Sequence, residues 1–95
     1  MSAYVIADVT VTDAEQMAKY REWSTKAAAE YGGTFIVRGG ALQLFEGDWK
    51  PSRMVILQFA DSATAKKWYA SETYQNAITL RKNAGVMRMV MVEGV

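Results

Sequence analysis

Tyr31-Gly32-Gly33-Thr34-Phe35-Ile36-Val37-Arg38 is the stretch that decides the fold. Upstream of it, Met17, Tyr20, Ser24, Ala27 and Tyr31 recur at alternating spacings of three and four, the period of one helical face. Trp23 lies beside that stripe. The pair Gly32-Gly33 stops the helix, because glycine takes the left-handed conformation at little cost. Thr34 to Arg38 then changes to strand chemistry, β-branched and aromatic. A helix that hands over to a strand through a glycine pair marks an α+β alternation, and the rest of the chain is read outward from it.

Toward the N-terminus, residues 3–11 (Ala-Tyr-Val-Ile-Ala-Asp-Val-Thr-Val) carry β-branched residues and no breaker, so they form a strand. Thr12 and Glu15 have capping-box spacing, which starts the helix at Asp13. Toward the C-terminus, Gly39-Gly40 admits two readings, a tight hairpin turn or a bend within one long strand. The bend is preferred, with strand resuming over Ala41 to Phe45, because Glu46-Gly47-Asp48-Trp49-Lys50-Pro51 already supplies a hairpin loop. Ser52 to Ala60 is the return strand. Asp61 or Ser62 caps a second helical region that pauses at Ser71, and Tyr74, Ile78 and Arg81 share a face of its second part. Asn83 and Gly85 end it, and Val86 to Glu93 is the last strand.

The order strand, helix, strand, strand, helix, strand predicts a ferredoxin-like βαββαβ sandwich, α+β, with an antiparallel sheet covered by helices on one face. The other face should be polar in a monomer. Here the strands are apolar on both sides: in the last strand Val86, Val90 and Val92 lie opposite Met87, Met89 and Met91. A large apolar sheet face meets a partner, and a second copy is the simplest one. The expectation is a homodimer through the open sheet face. The Met stripe is either interface or core.

Composition bounds the chemistry. The 95 residues give one domain, 1–95. With 51% hydrophobic residues and a net charge of +1, the chain is neither disordered nor drawn to nucleic acid or an anionic membrane. Cys and His are both absent. That removes disulfides, thiol nucleophiles, Ser-His-Asp triads and His-ligated metals. There is no apolar run of membrane-spanning length and no signal-peptide pattern, so a cytoplasmic protein is expected. No phosphate-loop or GxGxxG spacing occurs, and no cofactor is expected.

The chain resembles a family of small, mostly bacterial proteins known as domain-of-unknown-function family 1330. The resemblance is carried by Tyr20, Tyr31-Gly32-Gly33-Thr34-Phe35, Arg38-Gly39-Gly40, Glu46-Gly47 and Arg53, then Trp68-Tyr69, Ser71, Tyr74-Gln75, Arg81 and Val92-Glu93-Gly94. It implies a ferredoxin-like fold that pairs into a dimeric α/β barrel. It brings no established activity. Superfamily relatives include cofactor-independent monooxygenases and haem-degrading enzymes, and the haem role requires a His that this chain lacks. Where the family often has Glu after the third strand, this chain has Gln58, which cannot serve as a base.

The candidate ligand-binding set is Tyr20, Arg38, Glu46, Arg53, Trp68, Ser71, Tyr74 and Arg81. Arg81 with Tyr74 fits a carboxylate or enolate, or a structural tie between helix and sheet. Glu46 and Arg53 fit a general base with an oxyanion stabiliser, or a cross-strand ion pair. Arg38 before Gly39-Gly40 fits an anion site or a surface bend. Asp8, the polar residue inside the first strand, either lines a pocket or pairs with Arg88 or Arg53. Trp23, Trp68, Tyr69 and Tyr74 are core or the lining of a pocket for a planar molecule. Three classes of function remain: an enzyme of cofactor-free chemistry on a small organic acid or a phenolic or carbonyl compound, a small-molecule binding protein, and an interaction module.

Overall fold

The computed structural model describes residues 1–95. The elements run β1 (Ala3–Val11), α1 (Ala14–Glu30), β2 (Thr34–Arg38), β3 (Met54–Phe59), α2 (Ser62–Ala70), α3 (Glu72–Leu80) and β4 (Gly85–Glu93). The strands form one antiparallel sheet in the order β2-β3-β1-β4. This is the ferredoxin-like arrangement read from the sequence. The sheet is open, with β2 and β4 as free edges, so the barrel of the expectation is not a property of one chain.

Alternation along β1 sets the two faces. Ala3, Val5, Ala7 and Val9 are buried under the helices, with Leu57 and Phe59 of β3 beside them. Phe59, Trp68 and Tyr74 continue the core into the helices, with ring centroids 5.2 Å and 4.2 Å apart in succession. Tyr4, Ile6 and Asp8 point the other way. Ile6 lies between Ile56 and Val90, and Tyr4 between Gln58 and Val92. On β4, Met87 and Met89 pack against the core, while Val86, Val90 and Val92 are exposed. The Met stripe therefore belongs to the helix side, and the apolar open face is the Val side.

Local signals explain the helix ends. Asp13, not Thr12, caps α1: its Oδ1 accepts from the Gln16 N–H at 3.1 Å. Thr12 is still tied into the chain crossing, since the N–H groups of both Thr12 and Asp13 donate to the Ala84 carbonyl. At the other end Gly33 N–H reaches the Ala28 carbonyl and Gly32 N–H the Ala29 carbonyl, with Gly32 at φ 68°. That double closure is the Schellman stop, and it needs the left-handed residue. Asp61 caps α2 and Ser71 caps α3 in the same manner as Asp13.

One expectation fails. Neither a bent strand nor a tight hairpin follows Gly39-Gly40. β2 ends at Arg38, and residues 39–53 form a long connection with no strand in it. The apolar Leu42, Leu44, Phe45 and Trp49 are exposed there. Their alternation is strand-like, but a strand also needs a neighbour for its backbone groups, and none is offered within the chain.

Candidate functional site

The site grows from the gap between α1 and the sheet. The apolar stripe of α1 lays Met17, Tyr20 and Ser24 over β1, and small Ala7 and Val9 stand beneath them. The surfaces do not close fully. A cavity of about 40 Å³ remains, room for roughly three waters. Phe35, Leu57, Trp68, Met87 and Met89 also line it. Its charged lining residues are Arg21, Arg38 and Arg53, and no Asp or Glu is among them.

Arg38 and Arg53 are positioned by neutral groups. Arg38 donates from Nη2 to Thr25 Oγ1 at 2.8 Å, and its guanidinium lies 4.0 Å over the Phe35 ring. Thr25 in turn donates to the Arg21 carbonyl at 2.7 Å, which joins the Arg38 end of β2 to the Arg21 turn of α1. Arg53 packs on Gly39 so closely that a Cβ there would stand 2.7 Å from Nε. Gly39 is also at φ 76°, so its lack of a side chain serves both the chain reversal and the seat of Arg53.

A second polar group sits beside the cavity, reached through Tyr20. Tyr20 and Tyr74 hydroxyls are 2.7 Å apart, and Arg81 Nη1 donates to the Tyr74 hydroxyl at 3.0 Å. Because Tyr74 accepts from Arg81, its own proton is free to go to Tyr20, and Tyr20 then points its proton at Met87 Sδ, 3.7 Å away. Burial, reinforced by the neighbouring Tyr20, pushes the Tyr74 phenol well above its ordinary value. Burial opposes the charge on Arg81, but the adjacent Tyr74 and Tyr20 outweigh it and hold the guanidinium above its ordinary value. Tyr74 is thus a neutral donor and Arg81 a fixed cation at physiological pH.

Of the eight residues singled out from the sequence, Tyr20, Arg38, Arg53 and Trp68 line the cavity. Tyr74 and Arg81 stand behind Tyr20. Ser71 is spent on structure: its hydroxyl donates to the Trp68 carbonyl at 2.7 Å and accepts from the Tyr74 N–H at 3.1 Å. Glu46 lies apart, exposed on the long connection and outside the lining, so the cross-strand pair with Arg53 has no strand to form on. Asp8 neither lines the cavity nor hydrogen-bonds an arginine. It faces the open side and accepts from Trp49 Nε1 at 3.2 Å. Among the aromatics, Trp68 faces the cavity, whereas Tyr69 is exposed and Tyr74 is core. The indole N–H of Trp68 is buried without a hydrogen-bond partner.

Sequence reasoning missed Arg21. It is one residue past Tyr20 and four past Met17, on the flank of the buried stripe, and that flanking position was the available signal. No group of three or more metal-ligating side chains is present, and no helix is long and apolar enough to cross a membrane.

The chain belongs to the family described as Domain of unknown function (DUF1330), whose model matches residues 2–95. Among curated proteins there is no sequence match. Solved structures share the fold. A protein of unknown function from Rhodopseudomonas palustris is similar at 17% identity and TM-score 0.76, covering 99% of this chain and 82% of its own. A dimeric ferredoxin-like protein of unknown function from Jannaschia sp. is similar at 16% identity and TM-score 0.73, covering 99% of this chain and all of its own (100%). SnoaB, a cofactor-independent oxygenase from Streptomyces nogalater, is similar at 14% identity and TM-score 0.61, covering 99% of this chain and 93% of its own.

Proposed function

We propose that the chain works as a homodimer joined through the open sheet face, and that each protomer binds a small organic molecule in the cavity between sheet and helices. The observation that carries the binding reading is the lined cavity itself. Protein interiors pack closely, and a void with an apolar wall and oriented polar groups at its border is the form a small-molecule site takes. The dimer reading rests on the other face, where Val90 and Val92 continue the half-buried Ile6 and Ile56 into an apolar surface bordered by Asp8 and Arg88. The dimeric state of the Jannaschia relative supports it.

Binding is favoured over proton-abstracting catalysis. The lining holds no carboxylate or imidazole to act as a base, and Tyr74 stays protonated. Cofactor-independent oxygenation, the chemistry named for SnoaB, is the enzymatic alternative.

The test is a fragment screen followed by ¹H–¹⁵N NMR. Hits should perturb the Trp68 indole N–H and the backbone of Tyr20 and Met87 together. A screen whose hits leave all three unmoved would overturn the reading.

A further inference from the structure

We infer that the cavity takes a small organic carboxylate with a short apolar body, the carboxylate held among Arg21, Arg38 and Arg53. This rests on the small-molecule reading of the cavity and adds the ligand's charge and its orientation.

Three guanidinium groups border one small void, and the lining supplies no carboxylate to balance them. Two of them are held by neutral contacts, Arg38 by Thr25 and Phe35 and Arg53 by its packing on Gly39. Arginine has five N–H donors in a fork that matches a carboxylate, and the Thr25 hydrogen bond occupies only one of those on Arg38. Glu22, next to Arg21 in sequence, is exposed and outside the lining, and Glu46 is carried off on the exposed connection.

Orientation follows from the rest of the lining. Beyond the arginines and Ser24 the wall is aromatic and aliphatic, ending on the buried Trp68 and on Met87 and Met89. The void of about 40 Å³ admits a body of a few carbons. Methionines adapt their shape, so a slightly larger body is accommodated by moving Met87 or Met89. A neutral ligand would leave the three cationic residues of the lining without an anionic partner, and a second carboxylate deeper in the cavity would find no cation there.

Butyrate and its neutral isostere butyramide separate the possibilities in an NMR titration at low ionic strength. The wild-type protein, Arg38→Gln and Arg53→Gln are compared, each checked for native dispersion. The expected result is saturable butyrate shifts at the Trp68 indole and the Arg Nε–H signals. Butyramide should bind about tenfold more weakly, the worth of one charge-assisted hydrogen bond. Either substitution should remove that preference. Equal binding of the two probes at the cavity would overturn the carboxylate assignment and leave the small-molecule reading standing. Butyrate binding that both substitutions leave unchanged would place the anion elsewhere and overturn the assignment. No cavity shift with either probe, together with an unproductive fragment screen, would overturn both.

Discussion

Removing one hydroxyl, Tyr74→Phe, tests the polar chain that joins α1, α3 and β4. Tyr74 is fully buried, and its hydroxyl is shared between Tyr20 at 2.7 Å and Arg81 at 3.0 Å. The two partners lose unequally. Tyr20 is buried and keeps only the Met87 sulfur at 3.7 Å, so its hydroxyl is left nearly unsatisfied, at a cost of about 1–2 kcal/mol. Arg81 is half-buried and turns partly to water, so its loss is nearer the net value of one bond, about 1 kcal/mol. The sum is about 2–3 kcal/mol, or a fall in Tm of roughly 10–20 °C for a domain of this size. Tyr20→Phe costs less, about 1–2 kcal/mol, because Tyr74 still accepts from Arg81. The double variant should cost less than the two single ones added, by about 1 kcal/mol, since the shared bond is removed only once. The assay is denaturant unfolding of all four proteins at one fixed protomer concentration, which holds any assembly contribution constant. Additive costs, or a Tyr74→Phe variant within about 0.5 kcal/mol of the parent, would refute the chain as drawn.

Three further predictions follow from the same geometry. The Tyr74 phenol is raised above 10.0, so its contribution to stability is complete below about pH 10 and is lost as the pH climbs beyond that; pH-dependent unfolding should show a steep alkaline limb that Tyr74→Phe flattens. Val90→Glu places a charge on the open face, where Val90 is 62% exposed, so it should weaken the dimer at least tenfold with monomer stability within about 0.5 kcal/mol of the parent. Met89→Glu sits on the core side and should instead unfold the chain; dilution-series light scattering with circular dichroism separates the two outcomes. Gly85→Ala would set a Cβ 2.0 Å from the Thr10 carbonyl oxygen, so β1 and β4 must part, with a loss of roughly 3 kcal/mol or more by thermal denaturation.

The periodic elements were legible because they are governed by neighbours in sequence. The α1 stripe, the Gly32-Gly33 stop, the Ser71 break between α2 and α3, and the alternation of β1 are all local chemistry. The segment Ala41 to Phe45 reads as strand by the same rules, but a strand needs a second strand, and pairing is a non-local matter. Thr12 and Asp13 illustrate the same limit at smaller scale: both can cap, and the N–H groups of both are tied to the Ala84 carbonyl, 71 positions on from Asp13. At the candidate site, Tyr74 with Arg81 was readable as one helical face. Its third member, Tyr20, is 54 positions from Tyr74 and could be joined to it only by the fold. The Glu46–Arg53 pair failed because it presumed a hairpin whose strands extend to both residues. Which side of β4 faces the helices was undetermined in a sequence apolar on both sides; the register of β4 against β1 settles it.

The sheet is proposed to hold a partner on one face and a small molecule behind the other. A native mass spectrum of the purified, untreated protein addresses both parts at once. The expected species has twice the 10.6 kDa chain mass, with a reproducible additional mass of a small acid on each protomer. A bare species at the single-chain mass, at micromolar protein, would contradict it.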